Sequence, residues 1–252
     1  MKIVVVVSTF VALPAPAQNR TLPALKPPIQ AFTCATSHAR GHQVQLSAKT
    51  RYTPTQAGFD LLPSPTTFSE GACASDQPFF LSVPVPEGNF QVTLTLGSDQ
   101  PSTTTIRAES RRLFLDRQAI PAGSSKTVIF NVNVRTDEIA GTSGLKVKLK
   151  PREIGALDWD SKLTLEFNGV HPALRSLTLR PLPHTPTIYL AGDSTVVDQD
   201  KEPWAAWGQM LPVFFGPKVV IANEAESGET IRSFTSEHRL DKILSTIQPT
   251  IF

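Results

Sequence analysis

Ser194 is the residue of this chain best placed to do chemistry. It follows Gly192 and Asp193 at the end of a short apolar run, Ile188-Tyr189-Leu190-Ala191. A buried strand that stops at a glycine delivers the next side chains to its carboxyl end, where open α/β sheets keep their reactive groups. A serine there suits nucleophilic attack on an ester. That chemistry needs a base, usually histidine, and N–H donors for the oxyanion. Gly228 follows Ser227 beyond a second apolar run, Val219-Val220-Ile221-Ala222. Its backbone N–H could serve the oxyanion, because a glycine lets the backbone come close to a substrate. Gly-Asp-Ser is also an ordinary turn, in which all three residue types are favoured. Asp193 reads as a turn-stabilising carboxylate rather than a proton-transfer group. His238 lies downstream of Ser194 but in a helix-entry segment, and it is not assigned as the base.

The elements around these residues read strand, helix, strand, helix. Ile188 to Ala191 is a strand. Trp204 to Phe215 (WAAWGQMLPVFF) is helix-like, interrupted or ended near Pro212. Val219 to Ala222 is a second buried strand. Asn223 to Phe234 is a loop entering a helix, and Leu240 to Ile247 is a helix ending before Pro249. This order opens a doubly wound α/β sheet. Trp204 and Trp207 read as helix packing against that sheet, with sugar stacking near a cleft as the alternative. The text stops where a third strand should start. Two βα units cannot close a sheet buried on both faces, so the expectation is a truncated copy of a longer protein.

Upstream, from about Thr33 to Pro181, the chain is written almost entirely in β. Phe79 to Val85 is strand-like, and Asn89 to Leu96 (NFQVTLTL) alternates apolar and polar residues across the turn Pro86-Glu87-Gly88-Asn89. Thr104 to Ala108, Thr127 to Val134, Leu145 to Leu149, Leu163 to Phe167 and Ala173 to Leu179 repeat the pattern. Many short alternating strands without a helix predict a β-sandwich over 29–182. Pro181-Leu182-Pro183-His184-Thr185-Pro186 is a proline-stiffened linker. His38, His42 and His171 are isolated and read as surface or packing residues. Arg111, Arg112, Asp116 and Arg117 form a charged cluster that could grip acidic sugars but reads first as a solvated strand edge. By elimination this domain binds, spaces or shields.

Composition narrows the classes. Lys and Arg total 24 against 22 Asp and Glu, a net charge of +2. No dense basic run interleaved with aromatics points to nucleic acid. Lys2 followed by the apolar run Ile3 to Leu13 and then Ala15-Pro16-Ala17 predicts an export leader over 1–17, with a buried N-terminal strand as the alternative. The mature protein is then secreted or periplasmic, with no membrane partner once the leader is removed. Export permits a disulfide between Cys34 and Cys73; two unpaired buried thiols are the alternative. No cofactor is expected, and no Cys/His spacing suggests a metal.

The ordered motifs resemble the GDSL or SGNH hydrolases, most nearly the rhamnogalacturonan acetylesterase-like branch. Ile188-Tyr189-Leu190-Ala191-Gly192-Asp193-Ser194-Thr195 resembles the first block. Pro203-Trp204-Ala205-Ala206-Trp207-Gly208-Gln209-Met210-Leu211 resembles the aromatic-Gly-Gln continuation. Asn223-Glu224-Ala225-Glu226-Ser227-Gly228 resembles the second block. The resemblance covers Thr187 to about Ile247. It implies Ser194 as nucleophile, with the N–H groups of Ser194 and Gly228 in the oxyanion hole. It implies an SGNH hydrolase domain over 186–252, incomplete, behind a galactose-binding-like sandwich. The implied activity is deacetylation of a pectic polysaccharide such as rhamnogalacturonan; the alternative is a non-catalytic glycan-binding module attached to an inactive hydrolase remnant. The family's Gly-x-Asn-Asp block and its Asp-x-x-His block are absent from the text. Glu224, Glu226 and Glu229 depart from the small or basic residues usual around the second block.

Overall fold

The computed structural model describes residues 4–6, 29–35, 43–61, 63–69 and 71–247. Among the described residues fifteen strands run in chain order: β1 (Val4–Val6), β2 (Gln30–Thr33), β3 (Val44–Gln45), β4 (Gly58–Asp60), β5 (Thr67–Ser69), β6 (Ala72–Ala74), β7 (Phe79–Pro84), β8 (Gly88–Leu96), β9 (Ser102–Ala108), β10 (Arg112–Ile120), β11 (Lys126–Val134), β12 (Lys162–Val170), β13 (Ala173–Pro181), β14 (Thr187–Ala191) and β15 (Val220–Asn223). Three short α-helices accompany them, α1 (Trp207–Met210), α2 (Ile231–Ser236) and α3 (Arg239–Thr246). A 3₁₀ turn follows α1 over Leu211–Phe214. The protein is thus mostly β-sheet, as its alternating text predicts.

Two sheets share one core. One has the order β10-β9-β12-β7-β4 and the other runs β11-β8-β13-β2-β3, with β6 also on β13 and β5 on β6. β8 shows why these residues make strands. Phe90, Val92, Leu94 and Leu96 are buried while the residues between them are only partly covered, the two-residue period of a half-buried strand. β7 and β12 supply Phe79 and Phe167, whose rings stack at 4.7 Å. Phe114 of β10 meets Phe130 of β11 across the core at 4.4 Å. Cys34 and Cys73, 39 positions apart in sequence, are joined by a disulfide that closes β6 onto the residue after β2.

Two readings of this region need correction. Leu145 to Leu149 forms no strand; Lys146 makes one isolated bridge to Glu138. Its N–H groups go elsewhere, Val147 to Asp137 O and Lys148 to Glu237 O, so the segment is a strap rather than a ladder. The charged cluster is not a solvated edge throughout. It opens β10, whose Arg112 is wholly buried. Arg111 bonds Gln199 O and Trp204 O, and only Asp116 and Arg117 remain out in solvent.

The third sheet has the order β1-β14-β15. β14 and β15 are parallel, with Leu190 opposite Asn223. β1 lies antiparallel on the other edge of β14, with Val5 opposite Leu190. The remainder of the leader reading over 1–17, and His38 and His42, lie outside the described residues. β11 packs against β15, and β10 against α1 and the 3₁₀ turn. Pro212 ends α1 by removing a helical donor, as the sequence predicts. α3 is amphipathic in an unusual sense: its covered face carries Arg239 and Lys242 beside Ile243.

Candidate active site

β14 ends at Ala191, and the chain then folds into one tight turn. The Asp193 carboxylate accepts from the Thr195 N–H and hydroxyl, both at 3.0 Å. The Asp193 carbonyl accepts from the N–H groups of Val196 and Val197 at 2.9 and 3.0 Å. Asp193 is therefore the turn-stabilising group its sequence context predicts. A Cβ on Gly192 would lie 2.5 Å from Val196 Cγ2, so this turn closes only over glycine. Ser194 sits at the apex and is exposed.

The second loop leaves the same sheet edge. Glu224 N–H donates to Leu190 O at 2.9 Å, and Glu226 N–H donates to Gly192 O at 3.2 Å. These bonds extend the parallel pairing past the ends of β14 and β15. Ser194 stands two residues after Gly192, and Gly228 two residues after Glu226. Gly228 has φ +77°, a left-handed conformation that favours glycine, and open space where a Cβ would be. The structure thus brings the loops of Ser194 and Gly228 together.

Beneath the loops, Asn223 of the second block and Arg112 of the charged cluster meet Asp198, which the sequence reading does not name. Asn223 Nδ2 donates to Val196 O at 2.7 Å and to Asp198 Oδ1 at 2.8 Å, while its Oδ1 accepts from Ala225 N–H at 3.3 Å. One side chain thereby staples both loops. Arg112 Nε stands 3.0 Å from Asp198 Oδ2, with both side chains fully covered. Burial pushes the Asp198 carboxyl up to about 6, against the pull of Arg112 and Arg135. The aromatic-Gly-Gln stretch packs onto the same turn. Trp207 N–H donates to Thr195 O at 3.1 Å. A Cβ on Gly208 would lie 2.2 Å from Val196 O. Gln209 Nε2 bonds Gln199 O at 2.7 Å and Ser110 O at 2.9 Å. Trp204 and Trp207 are not packed away: they are 67% and 38% exposed.

The three unusual glutamates have a structural explanation. Glu224 pairs with Arg135 at 3.5 Å, Glu226 with Arg152, and Glu229 with Lys150 and with Arg239 at 3.7 Å. Arg135 directly follows β11, and Lys150 and Arg152 follow the Leu145–Leu149 strap. Burial pushes the Glu226 carboxyl up. Burial also acts upward on Glu229, but hydrogen bonds from Lys150 and Ser233 outweigh it and hold that carboxyl low. Lys150 Nζ and Arg152 Nη2 also donate to Ser227 O, so two cations fix the backbone just before Gly228.

No histidine joins these loops among the described residues. His238 has φ +64° between α2 and α3, and its Nδ1 is 2.8 Å from Asp241 Oδ2. His171 Nδ1 is 2.9 Å from Asp76 Oδ1. The arrangement offers an exposed hydroxyl and an open backbone donor at one sheet edge, without a base beside them.

A quarter of this chain is similar to rhamnogalacturonan acetylesterases. The rhamnogalacturonan acetylesterase RhgT of Bacillus subtilis is 40% identical over 62 residues, 24% of this chain and 27% of that protein. The rhamnogalacturonan acetylesterase of Emericella nidulans is 38% identical over 76 residues, 30% of this chain and 29% of that protein. The chain therefore spans somewhat over a quarter of the length of these curated relatives. No family model matches it. Among solved structures it is similar to the Bacillus subtilis protein YXIM, at 21% identity and a TM-score of 0.40 over 88% of this chain and 61% of that one. It is also similar to the extracellular domain of ANXUR2 from Arabidopsis thaliana, at 12% identity and a TM-score of 0.37 over 62% and 42% of the two chains. No helix among the described residues is long and apolar enough to cross a membrane.

Proposed function

We propose that this chain carries the nucleophile end of a secreted carbohydrate esterase that removes acetyl groups from a pectic polysaccharide. Ser194 attacks the ester carbonyl, and the N–H groups of Ser194 and Gly228 receive the oxyanion. In this reading residues 1–17 are the export leader, 29–182 a galactose-binding-like sandwich, and 186–252 the first βα units of an SGNH hydrolase domain. The observation that carries the reading is the tie from Glu226 N–H to Gly192 O, which sets both loops at one edge. The partial likeness to rhamnogalacturonan acetylesterases supplies the substrate class.

The base does not come from the described residues. Losing a triad base costs on the order of 10⁶ in kcat in the subtilisin case. The chain alone should therefore release almost no acetate. The test is a fusion of this chain through Ile247 to the remaining length of RhgT, assayed for acetate release from acetylated rhamnogalacturonan. Release that vanishes in the Ser194→Ala fusion supports the reading. A folded fusion whose release is the same with and without Ser194 refutes it, as does ordinary turnover of an aryl acetate by the unfused chain.

A further inference from the structure

A cavity of about 510 Å³ opens between the outer faces of β7, β9 and β12 and the segment 199–204. Its size falls within the usual range for small-ligand sites, about 300–1,000 Å³. Phe80 and Pro78 line it with Leu61, which is 43% exposed. Arg107, Glu166 and Asn168 line it from β9 and β12, and Arg111 and Glu202 from beside the segment. We propose that this cavity binds a neutral sugar unit of a glycan, at a site separate from the Ser194 loop.

The charges select the ligand. The Arg107 and Arg111 guanidiniums face the carboxylates of Glu166, Asp200 and Glu202 on the same walls. An acidic sugar would meet more negative charge than positive there, and an apolar ligand would strip water from those ions without offering them a hydrogen bond. A hydroxyl-rich ring satisfies both signs, because each hydroxyl donates to a carboxylate and accepts from a guanidinium. Arg107 Nη1 pairs with Glu166 Oε1 at 3.1 Å, and Arg107 Nη1 and Arg111 Nη2 also reach one oxygen of Glu202 at 3.4 and 3.3 Å; Glu202 is 68% exposed, so a ligand hydroxyl can replace it on both arginines. The half-buried Phe80 gives the apolar face of the ring a surface to cover.

The same segment joins the cavity to the serine. Gln199 Nε2 donates to Ser194 O at 3.3 Å, and Arg111 Nη1 donates to Gln199 O and Trp204 O at 3.3 and 3.1 Å. The stretch from Ser194 to Glu202 can reach at most roughly 28 Å. The exposed Trp204 lies one residue past its cis-linked Pro203. A glycan seated in the cavity therefore keeps the rest of its chain within a few sugar units of Ser194. The choice of a glycan as ligand rests on the esterase reading; the choice of the cavity does not.

The test titrates neutral tetrasaccharides of galactose, arabinose and mannose, and tetragalacturonate, into the full chain by calorimetry. At least one neutral tetrasaccharide should bind saturably and more tightly than tetragalacturonate. Phe80→Ala should weaken it about tenfold, the loss expected from one uncovered aromatic face. Asn168→Ala, which leaves the core untouched, should weaken it as well, and Ser194→Ala should leave it unchanged. Absence of binding, tighter binding of tetragalacturonate, or indifference to both cavity substitutions overturns the proposal. Retained binding in a fusion without esterase activity would count against the esterase reading and leave the cavity standing.

Discussion

Replacing Arg112 by Met should destabilise the protein through the loop that carries Ser194. Arg112 and Asp198 are both fully covered and stand 3.0 Å apart. Removing one partner of a buried pair typically costs about 3–5 kcal/mol, because the other charge is left uncompensated. Here the contact lacks hydrogen-bond alignment, since Arg112 Nε and Asp198 Oδ2 both have no hydrogen-bond partner. Asp198 also keeps Asn223 Nδ2 at 2.8 Å. Both facts place the loss near the lower end, about 3 kcal/mol. The lost bond from Arg112 Nη1 to Asn133 O, now 2.9 Å, adds about 1 kcal/mol. Asp198→Asn should cost less, about 1 kcal/mol, because burial already favours an uncharged group at 198 and Arg112 still faces Glu109 at 4.0 Å. The double substitution should cost less than the sum of the two by about 2 kcal/mol. Urea unfolding of the four proteins at pH 7.5 measures the cycle. Amide exchange at Val196 and Val197 reports whether the loosening is in the serine loop. Additivity within about 0.5 kcal/mol, or unchanged exchange at those amides, would refute the positioning role given to this pair.

Asp198 holds its proton up to about pH 6 when folded but loses it near 3.9 when unfolded. Between those values the folded state binds more protons, so stability falls as pH rises from about 4 to 6 and then levels off; urea midpoints across this range should show the fall, and Asp198→Asn should flatten it. Gly208→Ala places a Cβ 2.2 Å from Val196 O, and overpacking against backbone should cost about 1–3 kcal/mol with a shift in tryptophan emission from Trp207; a neutral effect on the melt and the spectrum would contradict it. Cys73→Ala opens a loop of 39 residues and should lower stability by about 4 kcal/mol on chain entropy, with wild type matching the variant under reductant.

How far the text can be read depends on where each residue's partners lie. β8 was readable because its alternation runs unbroken from Phe90 to Leu96 and its partners are the strands beside it. β10 was not, because register shifts between Leu113 and Leu115 and again before Gln118 break its alternation. Its Arg112 also looks solvated until Asp198 is placed against it. Leu145 to Leu149 has a strand's alternation without a strand's neighbours, since its donors turn to Asp137 and Glu237. The Ser194 turn was legible because it is local: Gly192, Asp193 and Thr195 close it within a few residues. Arg112 and Asn223 were illegible as site residues, because their roles depend on Asp198, 86 and 25 positions away.

The second loop shows the same division most sharply. Read alone, Glu224, Glu226 and Glu229 look like a poor place for a polysaccharide, a loop made acidic beside an oxyanion donor. Their partners Arg135, Arg152 and Lys150 come from the two-sheet part of the chain, so the charges are spent on docking rather than turned to the substrate. Buried ion pairs are weak evidence of stability, yet they discriminate strongly between registers, because a shifted interface strands every charge at once. Arg135–Glu224 is such a pair, and Glu226 and Glu229 are the covered halves of two more whose cations reach toward solvent; with Lys150 and Arg152 also holding Ser227 O, they tie the position of Gly228 to the docking of the sheets. Arg112 does the same for the Ser194 turn from the other side. The two loops that would perform the chemistry are therefore set by the body that precedes them. That body belongs to the site as a scaffold, and substitutions far from Ser194 in sequence are expected to act on it.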